Sequence, residues 1–249
     1  MIDSSEAMRI LVAGCSTLPP QQLARASATG KQESLVRNSM LRSLAMSIPD
    51  HLPEPEWVIP KMAIERWRTT RFAGEKSKGM VDLALVPLDD PLNPEPPLLI
   101  AFKLWYSADA MNPSKYATSR KSNHGLISGS FLADVTKLRA VSPRRTGGRL
   151  VITVVPTLHS DRMETPKGRT PREHLAVIGF PYVSFPRFMP GPRTQASDET
   201  RSEGLQRLVA YFQDQGCPTI IGGALKGSYE GVPVTTDFVV TDIPPITGT

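Results

Sequence analysis

The stretch Leu98–Ser107, LLIAFKLWYS, decides the fold: an apolar run of strand length with a lysine near its centre. Successive side chains on a strand point to opposite faces. Ile100, Phe102 and Leu104 therefore share one face, and Ala101 and Lys103 share the other. An ammonium inside a sheet needs a partner or a ligand, unless it snorkels to water from an edge strand. The run thus poses two questions: what Lys103 serves, and what a strand that keeps such a lysine ordinarily carries at position 101.

The neighbouring segments supply a sheet. MVDLALVP, residues 80–87, reads as a strand, and the proline-punctuated LDDPLNPEPP joins it to the lysine-bearing run. Two apolar strands so connected predict an antiparallel pair, which brings Asp82 and Lys103 to the same end of the sheet. RLVITVVP, residues 149–156, is a further buried strand. SFLADVTKLRAV before it is read as a helix with Phe131, Val135 and Leu138 on one face. That crossover predicts a strand parallel to an earlier one.

Upstream, residues 30–48 have helical periodicity: Val36, Met40 and Leu44 form a stripe, and Pro49 stops it. Glu33 lies on that stripe one turn before Val36, where a carboxylate also complements the helix dipole. After a proline-rich turn, EWVIPKMAIERW is read as extended and FAGEKSKG as a polar loop. RILVAGCS, ending at Ser16, is read as a short strand or ordered arm. Its LVAGC resembles a lipoprotein cleavage site, but the apolar run Ile10–Ala13 is too short for a signal segment.

Downstream, residues 159–204 read as a long excursion rich in Pro, Arg and Thr, with one short strand near AVIGFPYVSF. GLQRLVAYFQDQG is an amphipathic helix through Leu205, Leu208, Val209 and Phe212. The segment from Pro218 to Val240 predicts a strand and a hairpin turning at Glu230–Gly231. The expectation is one domain over residues 1–249, with a core at about 30–156 and a C-terminal extension at 157–249 carrying a helix and a hairpin.

Composition sets the frame without choosing a function. The chain has 249 residues, 40% of them apolar, and a net charge of +5. Such a charge suits an anionic partner, and equally a merely soluble surface. Cys15 and Cys217 stand alone, so neither a disulfide framework nor a zinc site is indicated. His51, His124, His159 and His174 lack ligand spacing and are expected at the surface. Trp57, Trp67 and Trp105 are expected in or beside the core. No run reaches the length of a membrane span, and a cytoplasmic location is expected.

An aspartate on one strand, then hydrophobic-x-hydrophobic-lysine on the next, resembles the PD-(D/E)xK nuclease superfamily. The element order over residues 30–156 is similar too: helix with an acid, strand, strand with Asp82, strand with Lys103, helix, strand. The resemblance implies an α/β fold of the restriction-endonuclease-like type, with a central mixed sheet flanked by helices. It implies a divalent-metal-dependent nuclease using Mg²⁺ or Mn²⁺ and acting on DNA in preference to RNA. Restriction, antiviral defence or an antibacterial toxin would be its setting. Asp82 would bind the metal, with Glu33 supplementing the shell and the carbonyl of Phe102 as a backbone ligand. Lys103 would contact the scissile phosphate or the attacking water. Lys115, Arg120, Lys121, Arg144 and Arg145 follow the strand as candidates for tracking a phosphate backbone.

The sequence departs from that pattern at Ala101, where the family has Glu or Asp. The missing side chain corresponds to the second metal-binding carboxylate, so the chain as it stands is expected to be inactive or nearly so. Three explanations stay open. One is substitution in an otherwise active nuclease, which would be toxic or would destroy its substrate. Another is natural loss that leaves a binding domain. The third is migration of the acid, with Asp134 as candidate. Survival of the other site residues favours the first. The alternative functions are a nucleic-acid-binding module of the same fold that never cleaves, and a subunit that docks a protein. A homodimer is also left open.

Overall fold

The computed structural model describes residues 4–29, 32–47, 51–58, 80–87, 98–111, 135, 138–139, 148–180 and 197–244. Three helices come first: α1 (Ser4–Ser16), α2 (Pro20–Thr29) and α3 (Gln32–Ser47). The strands β1 (His51–Val58), β2 (Met80–Pro87) and β3 (Leu98–Leu104) follow, then a one-turn helix α4 (Ser107–Ala110). Next come β4 (Gly148–Leu158), a 3₁₀ turn at Ser160–Arg162, and the helices α5 (Pro171–Val177) and α6 (Asp198–Asp214). The hairpin β5 (Thr219–Tyr229) and β6 (Val232–Asp242) completes the described chain. Among the described residues the strands form one six-stranded mixed sheet in the order β1-β2-β3-β4-β6-β5. This is an α/β fold.

The strands predicted at 80–87, at 98–104 and at 149–156 occur with the predicted pairing. β2 and β3 are antiparallel, with Leu83 opposite Ile100. β3 and β4 are parallel, with Lys103 opposite Thr153, as the crossover requires. β6 pairs antiparallel to β4 on its other side, and β5 closes that edge, so the hairpin extends the same sheet beyond β4. Its turn has Glu230 at φ 48° and Gly231 at φ 73°. These are the left-handed conformations that a two-residue hairpin turn needs.

Each face of the sheet carries its own apolar layer. On one face Leu83, Leu98, Ile100, Phe102, Ile152, Val154, Phe238 and Val240 pack against α1, α2 and α3. On the other, Ala84, Leu99, Ala101, Val151, Val155 and Val239 pack against α6 and against Val135 and Leu138. Val135 and Leu138 are helical, where the crossover helix is expected; Phe131 lies outside the described residues. A smaller cluster at one end joins Tyr106, Leu158, Leu175, Phe180 and Val234. Tyr106 meets Phe180 edge-on and donates its hydroxyl to the carbonyl of Ser27 at 2.8 Å.

Four readings need correction. RILVAGCS is helical, because Ala7, Met8, Leu11 and Cys15 fall on one stripe of period 3.6 and are all buried. The proline-rich stretch before Trp57 is already strand from His51 onward. β1 is an edge strand, where the missing N–H groups of Pro53 and Pro55 are tolerated. Nor does Ala176–Phe180 form a strand. Its start belongs to α5, which is fixed by a capping box: Thr170 accepts from the Glu173 N–H, and Glu173 accepts from the Thr170 N–H. The amphipathic helix begins at Asp198, six residues before Gly204, with Ser197 as its cap.

The first and last elements meet across the edge of the sheet. A Cβ on Gly227 of β5 would stand 2.3 Å from the carbonyl oxygen of Pro20 at the start of α2. Beside it, the Ser228 N–H donates to the Gln21 side chain. Gly227→Ala is therefore expected to push α2 off β5 and lower stability by about 1–3 kcal/mol. Urea unfolding checks this, and an unchanged midpoint with unchanged slope would contradict the packing.

Candidate active site

The site is made where two strands part. β2 stays in register with β1 as far as Met80, opposite Val58. Its ladder with β3 stops earlier, at Leu83 opposite Ile100. One residue further along, Asp82 turns its carboxylate across the gap, and Oδ2 accepts the Phe102 N–H at 2.7 Å. A side chain here replaces the backbone acceptor that a continued ladder would have supplied. Because a strand residue presents its N–H and C=O toward the same neighbour, the Phe102 carbonyl faces the same gap.

Alternation along the strands places the other groups. Ala84, Leu99 and Ala101 belong to the α6 face, so Asp82 and Lys103, each two residues from one of them, fall on that face too. Lys103 is buried. Ala101 has no exposed surface and sits among Leu99, Val151 and Ala84. A carboxylate and a backbone carbonyl thus meet at the opening between β2 and β3, and Lys103 and the Ala101 methyl share the sheet face of that carboxylate.

As a metal cradle this set is short. Mg²⁺ is held by near-octahedral oxygen ligands, commonly one or two carboxylates with waters. Asp82 offers one carboxylate with one oxygen already engaged, and Phe102 offers a carbonyl. Among the described residues no group of three or more His, Cys, Asp and Glu is placed to hold a metal. Among the described residues the set does not fit a resident Mg²⁺ or Mn²⁺, and position 101 offers a methyl group where a second carboxylate would complete it.

The remaining expected residues divide as follows. α3 packs through Val36, Met40 and Leu44 on the face opposite Asp82 and Lys103. Glu33 is in its first turn, and its side chain lies outside the described residues, as do Lys115, Arg120, Lys121, Asp134, Arg144 and Arg145. Trp105 is buried and packs near Phe212, as expected of a core tryptophan.

Two of the histidines expected at the surface are inside. His174 of α5 bonds the Glu230 carbonyl through Nε2 at 2.5 Å, which pins the hairpin turn. His159, just after β4, is 2% exposed and bonds the Thr235 hydroxyl through Nε2 at 2.8 Å. It belongs to a polar cluster under the first turn of α6 that sequence reasoning missed. There Arg201 clasps Asp237 of β6 through Nε and Nη2, both at 2.6 Å. The signal was present in VTTDFVV, where an aspartate interrupts an apolar strand as Asp82 does. Burial holds the His159 imidazole below its ordinary value, and the Arg162 charge adds to this against the pull of Asp198. The Asp237 carboxylate beside Arg201 raises the guanidinium in turn. The Oγ1 atoms of Thr153 and Thr157 and Nδ1 of His159 are buried with no hydrogen-bond partner among the described residues. Each such group costs about 1–3 kcal/mol.

Comparison with protein-family models, with curated proteins and with solved structures gives no match.

The Asp82–Phe102 bond predicts an order of stabilities. Asp82→Ala leaves the Phe102 N–H without its acceptor and is expected to cost about 1–3 kcal/mol. Asp82→Asn keeps an amide oxygen in place and should cost visibly less. Chemical denaturation of both variants without metal measures this, and equal losses would remove the ladder-bridging role.

Proposed function

We propose that this chain is a nuclease of the PD-(D/E)xK kind, acting on DNA in preference to RNA, whose phosphodiester chemistry is suspended at Ala101. The observation that carries the proposal is the convergence at the parting of β2 and β3. Asp82 and the Phe102 carbonyl border one gap, and Lys103 lies on the same face as Asp82 and Ala101. The order of helix, three strands, helical residues and a strand parallel to the third supports the same reading.

Hydrolysis of a phosphodiester needs an activated water and compensation of charge on the phosphate. A divalent ion in a restored site would supply both by lowering the pKa of a bound water and polarising the phosphoryl oxygens. Lys103 would stand beside the phosphate, where its ammonium balances the charge that grows as the bond to the leaving oxygen breaks. Asp82, anchored by the Phe102 N–H, would keep its other oxygen directed into the gap. With a methyl at position 101 this arrangement still orients a phosphate but lacks its second carboxylate.

A binding module of the same fold is the second reading, and the packing of Ala101 favours it. The methyl is enclosed by Leu99, Val151 and Ala84, as in an ordinary core. A regulatory subunit, a homodimer, and a role in restriction, defence or intoxication would each build on one of these two readings. Among the described residues no helix is long and apolar enough to cross a membrane.

The two readings diverge on Ala101→Glu. In a suspended nuclease the new carboxylate, desolvated without metal, lowers the melting temperature in EDTA. Mg²⁺ or Mn²⁺ then raises it again, and metal-dependent degradation of duplex DNA appears. Lys103→Ala in that background abolishes cleavage while leaving the metal-induced rise in place. If the Glu variant folds, gains no stability from either ion and cuts neither DNA nor RNA, the binding module takes the place of the nuclease.

A further inference from the structure

The cluster under α6 lies on the sheet face that carries Lys103, farther along β4. From Thr153, which stands opposite Lys103, the side chains on this face pass through Val155 to Thr157 and then to His159. Six residues of strand cover about 20 Å, close to six nucleotide steps of duplex at roughly 3.4 Å each.

At the far end the chemistry changes from burial to exposure within one side chain. The Thr157 hydroxyl and His159 Nδ1 are buried and have no hydrogen-bond partner among the described residues. Above them Asp198, the first residue of α6, is exposed and bonded to the equally accessible Arg162. Its Oδ1 stops 3.8 Å from His159 Nδ1, beyond hydrogen-bond reach. Arg201 uses Nε and Nη2 on Asp237, and Nη1 has no hydrogen bond among the described residues. The carboxylate thus stands between an arginine and a buried imidazole, at the positive end of a 17-residue helix, and satisfies only the arginine.

We propose that this cluster is a phosphate subsite, in which the Asp198 carboxylate holds the place that a backbone phosphate of the bound nucleic acid takes. The identity of the ligand rests on the nucleic-acid reading above. A tetrahedral phosphate spreads its oxygens more widely than a carboxylate, so one oxygen can meet the Arg162 fork while another reaches His159 Nδ1. In the tautomer whose Nε2 accepts from the Thr235 hydroxyl, the imidazole proton sits on Nδ1, the nitrogen on the Asp198 side. Burial lowers its pKa, which favours the neutral ring. Exposed Asp198 and Arg162 can separate without opening the core, whereas Arg201 and Asp237 hold the floor. Asp198 therefore competes with the ligand for one position and sets the affinity of the subsite.

The test uses the full chain and two exposed substitutions, Arg162→Gln and Asp198→Asn, with Lys103→Ala as the reference for the proposed active site. Binding is followed by fluorescence anisotropy over a range of salt on a short duplex of about 3 base pairs, closed as a hairpin, and on a long duplex of about 20 base pairs. His159 ring protons are followed by NMR during titration with inorganic phosphate. On the long duplex, Arg162→Gln is expected to weaken binding roughly three- to tenfold and to reduce the salt slope by about one. Asp198→Asn should strengthen it by a similar factor. On the short duplex, which cannot span both places, binding through Lys103 should be unaffected by either. Inorganic phosphate should shift the His159 resonances, more strongly in Asp198→Asn. If Lys103→Ala weakens binding while Arg162→Gln and Asp198→Asn leave the long duplex and its salt slope unchanged, the subsite is wrong and the nucleic-acid reading stands. If no duplex binds to any form, the nucleic-acid reading fails. A His159 response to inorganic phosphate in that case overturns the backbone ligand and leaves a free phosphate in its place.

Discussion

Strand β4 is buried at all 11 of its positions, and this constraint organises the rest. A strand covered on both faces must have an apolar layer on each side and a hydrogen-bonding neighbour on each edge. α1, α2 and α3 supply one layer, and α6 with the crossover residues Val135 and Leu138 supplies the other. β3 pairs on one edge in parallel and β6 on the other antiparallel. Most buried polar groups of the strands lie on the α6 face, at Lys103, Arg149, Thr153, Thr157, Thr235, Asp237 and Thr241, with Thr236 on the other. A row of polar side chains within an otherwise apolar strand system is costly, and both the candidate active site and the phosphate subsite lie along it.

The strands were legible because their signals are local. LLIAFKLWYS, MVDLALVP and RLVITVVP carry continuous apolar runs bounded by proline and glycine, and the connection lengths fixed which pairs are parallel. β1 was hidden by its prolines, since tolerance of proline depends on being an edge strand, which is a property of the whole sheet. α1 was hidden because RILVAGCS is apolar enough for a strand. The period that identifies it as helical appears only when Ala7 and Met8 are read with it.

The candidate site was legible in part, for a related reason. Alternation alone puts Ala101 and Lys103 on one face, and the loop between strands brings Asp82 to their end. The bond from Phe102 to Asp82 could not be read, because it depends on β2 leaving β3 while remaining with β1. His159, Arg201 and Asp237 were missed because their partners lie 36 to 76 residues away in sequence. The cues were single polar letters in apolar strands, which become informative only once the register opposes Thr157 to Thr235.

The contact between α2 and β5 bears on how the chain is made. Gln21 and Ser228 are separated by 207 residues, and Val12 of α1 packs against Gly222 of the same last-formed hairpin. α1 and α2 are synthesised long before β5 and β6, so the part of their surface that the hairpin covers waits for it, while the rest packs on α3 and the earlier strands. Contacts of such high sequence separation carry a large loop-closure cost, so this edge is expected to close late in folding.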